Sequence, residues 1–199
     1  MASKFRSTST KRRRAGGAHR DIKKRLLLVC GGARTEKDYF EDLKDHCRAS
    51  NVTVKVRTDT RSPLHVVNTA ADLFASAADD FDECWAVFDV DSFDVGESIK
   101  VAKRRGVDLA ISNPCFEYWL LLHFCDHNSH LSEYKAVRDK IKSHVPNYDK
   151  AGIKISDYLD GVEDAVARAR KRDENQVPPG VNPNTTVWRI AAQMINSAS

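Results

Sequence analysis

Apolar runs that alternate with helical patterns along the chain predict an α/β protein: a mostly parallel, four-stranded central sheet flanked by helices, with a helical C-terminal portion. Three observations carry this reading. Leu26–Cys30 and Cys84–Phe88 are apolar at every position, as parallel strands covered on both faces require. Between the strand-like runs, the apolar spacing lengthens from 2 to about 3.6 residues, the signature of intervening helices. A length of 199 residues with 41% hydrophobic content suits one domain that buries a single core, with no room for a second.

Each element has its own local reason. Leu26 to Cys30 (Leu-Leu-Leu-Val-Cys) is bounded by charge before it and by Gly31-Gly32 after it, and reads as the first central strand. Thr35 is expected to cap the next helix: Glu36 and Asp38 favour its positive end, and Tyr39, Phe40 and Leu43 recur at helical spacing. Val52 to Val56 alternates as a half-exposed strand, and Pro63 then opens a helix through Val66, Val67, Leu73 and Phe74. Cys84 to Phe88 forms the third strand and ends in Asp89-Val90-Asp91-Ser92-Phe93-Asp94. A short helix around Ser98 to Arg105 leads through Gly106 into a fourth strand, Val107 to Ser112. Asn113-Pro114 turns the chain into an apolar helix, Cys115 to Phe124, and helical patterns follow at Leu131 to Val145, Ile155 to Arg172 and Thr185 to Ile195. No internal repeat is visible.

The net charge of +4 is unevenly spread. Residues 1–25 hold ten Lys or Arg against one acid, Asp21, so this segment is about +9 and the remainder about −5. The block Lys11-Arg12-Arg13-Arg14 beside Gly16-Gly17 cannot bury enough apolar surface to fold alone. Residues 1–24 are therefore read as a basic disordered arm and 25–199 as the folded domain, the arm contacting a phosphate backbone or serving as a solubilising tail. The five cysteines (Cys30, Cys47, Cys84, Cys115, Cys125) are odd in number, widely spaced and lack a C-x-x-C pair, as expected of reduced core residues. No apolar run approaches the roughly 20 residues needed to span a bilayer, and the N-terminal segment has no apolar signal core. A cytoplasmic location is expected.

Chemistry points to the third strand's tip. Asp89 and Asp91, one residue apart, converge once the chain turns, and paired carboxylates suit a hard cation such as Mg²⁺ or Mn²⁺. In open α/β sheets the ligand crevice lies at this end of the strands. The plainer alternative is a turn cluster or helix cap, which Asp and Ser often make. Neither a G-x-x-x-x-G-K-[ST] nor a G-x-G-x-x-G pattern is present, so a nucleotide-binding loop is not supported. Glu36 can reach the Asp89 site from the first strand's turn or simply offset its helix dipole. Arg34 can neutralise phosphate or be solvated. Lys150 can face a phosphate as a point charge, although a surface lysine is the ordinary reading. His123, in an apolar run, reads as a satisfied core histidine ahead of a catalyst.

Four segments in order carry a family resemblance: Leu27 to Phe40 (Leu-Leu-Val-Cys-Gly-Gly-Ala-Arg-Thr-Glu-Lys-Asp-Tyr-Phe), Ala86 to Asp91, Ser112 to Phe124 (Ser-Asn-Pro-Cys-Phe-Glu-Tyr-Trp-Leu-Leu-Leu-His-Phe) and Asn182 to Val187 (Asn-Pro-Asn-Thr-Thr-Val). Together they resemble the RloB family, from about residue 24 to 197. The resemblance implies a Toprim-like core in antiviral, abortive-infection defence, encoded near restriction loci and often beside an AAA-type ATPase. Related Toprim proteins cut nucleic acid, and this implies a DNA or RNA target, tRNA among the candidates, with oligomeric assembly compatible. By the same resemblance Asp89 and Asp91 are Mg²⁺ ligands. The family's first strand ends Cys-Glu-Gly, whereas this chain has Cys30-Gly31-Gly32. Either Glu36 or Glu117 replaces the missing carboxylate, Glu117 being the better placed in the Asn-Pro-x-Phe-Glu block, or the chain is a nucleic-acid-binding or ATPase-partner subunit without catalysis. Glu117 also reads more plainly as an acid at a helix start.

Overall fold

The computed structural model describes residues 24–32, 34–56, 62–90, 94–150, 152–174 and 176–196. The basic arm assigned to residues 1–24 lies outside the described residues except for Lys24, which pairs with Glu83. Among the described residues the strands are β1 (Leu26–Cys30), β2 (Val52–Val56), β3 (Glu83–Asp89), β4 (Asp108–Asn113) and β5 (Asn184–Thr185). They form one sheet in the order β2-β1-β3-β4-β5. The first four are parallel, with Leu28 opposite Val54 and Trp85, and β5 runs antiparallel to β4.

The helices are α1 (Thr35–His46), α2 (Pro63–Ser76), α3 (Gly96–Arg105), α4 (Glu117–Leu121), α5 (Tyr134–Lys142), α6 (Val162–Asp173) and α7 (Trp188–Asn196). They cover both sheet faces because successive strand side chains point to opposite sides. Leu26, Leu28 and Cys30 pack with Tyr39, Phe40, Phe116, Trp119, Ala165 and Ile190 from α1, α4, α6 and α7. Leu27 and Val29 pack on the other face with Val66, Val67, Ala70 and Val101 from α2 and α3. Every residue of β1 is buried, which explains its unbroken apolar run. No helix among the described residues is long and apolar enough to cross a membrane.

The structure differs from the sequence expectation in specific places. The sheet has a fifth strand, two residues long, in a Pro- and Asn-rich stretch that carries no alternating apolar signal. Hydroxyl groups hold it. Ile111 N donates to Thr186 Oγ1 at 2.8 Å, Thr186 N donates to Ile111 O at 2.9 Å, and the Ser112 and Thr185 hydroxyls bond at 3.0 Å. The helix expected from Thr185 therefore starts only at Trp188. Thr35 does not cap α1. It is the first helical residue, Arg34 precedes it without a side-chain cap, and its hydroxyl donates instead to Lys150 O at 3.0 Å. The expected helix at Cys115–Phe124 is regular only over Glu117–Leu121, and the helix expected over Leu131–Val145 is regular only over Tyr134–Lys142. The stretch from Ile155 winds through two 3-10 turns before α6, passing so close to α4 that a Cβ on Gly161 would lie 2.1 Å from His123 O.

His123 itself is a buried core residue. Its Nδ1 lies 3.0 Å from Trp119 O and its Nε2 3.1 Å from the Tyr39 hydroxyl. A carbonyl can only accept, so Nδ1 carries the proton and Nε2 accepts from Tyr39. Burial holds the imidazole down at about 4. The unfolded chain thus takes up a proton first as pH falls below about 6.5, and stability present above that pH is lost, by about 2 kcal/mol at pH 5. Urea melts at pH 7.5 and pH 5 should show a smaller loss for His123→Gln than for the unaltered protein. An equal loss would assign the acid sensitivity to other groups.

Candidate functional site at the strand tips

The carboxyl ends of β1, β3 and β4 lie side by side, and the Gly31-Gly32 turn sets how closely they meet. Gly31 N donates to Val87 O at 2.7 Å, and a Cβ at Gly31 would stand 3.2 Å from that oxygen. Here the glycine serves a close approach between neighbouring strands. At Gly32 the space is taken by a side chain: a Cβ would fall 1.8 Å from Glu36 Oε2. Glu36 folds back from the first turn of α1 into the room that Gly32 leaves, and it is buried there at 5% exposure. Burial pushes its carboxyl up. Hydrogen bonds from the N–H groups of Glu36 and Gly32 and the charge of Lys150 pull it down, Glu117 raises it, and it stands above the usual carboxylate range.

Glu117 opens α4 and has no solvent exposure. Its Oε1 accepts from the Tyr148 hydroxyl at 3.3 Å and pairs with Lys150 Nζ at 3.1 Å. Its Oε2 is buried with no hydrogen-bond partner among the described residues. A carboxylate in this position depends on a nearby positive charge, because an isolated buried charge is strongly unfavourable. Lys150 supplies it from the loop after α5, with its side chain half exposed and its ammonium 4.8 Å from the centre of the Tyr134 ring. Burial pulls that ammonium down, but Glu117, then Asp89 and Glu36, outweigh it and hold it above its ordinary value.

Asp89 ends β3 opposite Ser112 of β4, where Val90 N donates to Ser112 O at 2.9 Å. Its charge acts on Lys150 and, with Glu117, on Cys115, whose thiol is pushed well up first by burial and then by those carboxylates. Four of the sequence-derived residues (Glu36, Asp89, Glu117 and Lys150) are therefore electrostatic neighbours. Arg34 is exposed at the start of α1. Asp91 and Lys11, Arg12, Arg13 and Arg14 lie outside the described residues. Among the described residues no group of three or more His, Cys, Asp or Glu stands at metal-holding spacing.

Sequence reasoning missed Tyr148, Tyr134 and the Thr35 hydroxyl. No spacing rule links Tyr134 or Tyr148 to Glu117, since these loop and helix positions meet only through the fold.

A model of the family described as RloB-like protein matches residues 26–194. Neither the curated proteins nor the solved structures hold a match.

The raised Glu36 carboxyl gives a stability test. A carboxyl raised by folding contributes stability below its unfolded value, near 4.3, and loses it as pH rises through the folded one, so the ionised group is a net cost at neutral pH. Glu36→Gln should melt at a higher temperature than the unaltered protein at pH 7.5, and the gap should close towards pH 4. A lower melting temperature at pH 7.5 would show that the carboxylate is a net stabilising group.

Proposed function

The chain belongs to the RloB-like family, and from that premise we propose that it is a Toprim-like, metal-dependent nuclease or nuclease-derived effector of antiviral, abortive-infection defence. It hydrolyses DNA or RNA phosphodiesters and works with an AAA-type ATPase. The observation that supports this reading is the fully buried Glu117 paired with Lys150, an ammonium on which the charges of Asp89 and Glu36 also act. Carboxylate oxygens are the donors a hard divalent cation takes, and Glu117 Oε2 is buried without a hydrogen-bond partner among the described residues. Asp89 and Asp91 would hold Mg²⁺ or Mn²⁺, which when bound polarises a phosphoryl oxygen and lowers the pKa of water.

The chain's own groups divide the remaining work. Glu36 carries a carboxyl raised by burial, the direction that a proton-moving carboxyl needs. It sits one turn beyond Gly31, so it supplies from α1 the carboxylate that the family resemblance puts at the end of the first strand. Glu117 positions Lys150 and stands as the second candidate for proton transfer. Arg34, Lys150 and the Lys11-Arg12-Arg13-Arg14 block supply positive charge for the phosphate backbone.

Incubation of the full chain with Mg²⁺ or Mn²⁺ and single- or double-stranded DNA and RNA should give cleavage. Asp89→Asn with Asp91→Asn should slow it about a hundredfold or more. Full activity in that double variant would remove the metal assignment.

Gly31 itself favours a second reading, a nucleic-acid-binding or ATPase-partner subunit whose chemistry has decayed. Gly31→Glu separates the two, and its Cβ asks Val87 O, 3.2 Å away, to give by only a few tenths of an ångström. Cleavage gained by Gly31→Glu over an inactive parent would establish decay. An active parent that loses rate on this substitution would establish Glu36 as the working replacement.

A further inference from the structure

Lys150 joins parts of the chain that are remote in sequence. Its ammonium meets Glu117 at the start of α4, its backbone carbonyl accepts the Thr35 hydroxyl at 3.0 Å, and its side chain passes the Tyr134 ring of α5. Thr35 is the residue before Glu36, so the same contact ties the Lys150 loop to the helix start that carries Glu36. We propose that Lys150 is the built-in counter-ion of the carboxylate cluster: its ammonium balances Glu36, Asp89 and Glu117 while no divalent cation is bound, and it gives up Glu117 when one binds. This inference rests on the reading of the strand tips as a metal site.

Five features favour exchange over a fixed structural pair. Glu117 has no exposure and must keep a cationic neighbour in every state of the site. An ammonium and a divalent cation seek the same carboxylate oxygens, and Oε1 already serves two donors while Oε2 has none among the described residues. The lysine stem is flexible and its side chain half exposed, so the charge moves without disturbing the core. The Tyr134 ring face, 4.8 Å away, keeps a partner for the ammonium once Glu117 is released. The backbone tether to Thr35 holds the loop throughout, so that only the side chain changes place.

Calorimetric titration of the full chain with Mn²⁺ tests the exchange separately from activity. The unaltered protein should bind, Lys150→Arg should match it, and Lys150→Met, freed of the competing cation, should bind about tenfold more tightly. Binding by the unaltered protein with equal or weaker binding by Lys150→Met overturns the counter-ion role and leaves the metal site standing. No Mn²⁺ binding by any of the three overturns the metal reading, and the exchange falls with it. Melting curves cover the case in which Lys150→Met is unstable. It should melt below the unaltered protein without metal and recover more than that protein does when Mn²⁺ is added; failure to fold even with Mn²⁺ overturns the proposal.

Discussion

A carboxylate with no access to water has to be answered by a positive charge, and much of this fold's upper edge is arranged around that need at Glu117. The residue is carried at the start of α4, fully buried, and is met there by the loop that follows α5. Lys150 reaches it over the side chain of one aromatic residue, and Tyr148 donates to the same oxygen from two positions earlier in the same loop. That loop is tied to α1. It is pinned by the Thr35 hydroxyl and, further on, by Ile155 N donating to Asp42 at 3.3 Å, so α1 acts as its anchor along two turns. A buried ion pair of this kind is weak support for stability and stronger support for a site, since apolar replacements commonly fold as well or better.

How much of this was legible in the sequence follows from how local each signal is. The four parallel strands and most helices announce themselves through runs and periods contained in a dozen residues, so β1 and β3 read directly from their unbroken apolar character. The two-residue β5 has no period at all: it exists because Thr185 and Thr186 hydroxyls and one backbone N–H satisfy β4, information that resides in the partner strand. Thr35 failed as a cap for a related reason. Its hydroxyl had a better use 115 residues away, and tertiary context overrode local preference. The site behaves likewise. Asp89, Glu36 and Glu117 were found as chemistry-bearing residues at strand and helix ends, and Lys150 as a charge for phosphate, but the pairing of Lys150 with Glu117 was not legible because it joins an unpatterned loop to a helix start 33 residues earlier.

The glycine pair shows two different costs of a side chain within one turn. At Gly31 the obstacle is a backbone oxygen of the adjacent strand, fixed by the sheet's hydrogen bonds. At Gly32 it is the Glu36 carboxylate, a movable group. The first glycine therefore protects the spacing of β1 and β3, and the second reserves a seat for an acid. The Glu36 carboxylate thereby sits at the tip of β1 and is tied to the N–H groups of Gly32 and of α1's own first turn.

The short β5 has a consequence for the order in which the molecule becomes safe from self-association. Until residues 184–186 have been synthesised and have docked, β4 presents an open row of donors and acceptors next to β3, whose middle five residues are apolar and buried, the kind of border that recruits strands from other chains. The Thr186 hydroxyl closes it by accepting from Ile111 N and donating to Leu109 O at 3.3 Å, and so extends the ladder with a side chain where the backbone has run out. Nascent chains that stop short of this threonine would be expected to need chaperone shelter, whereas those that pass it hold a sealed border.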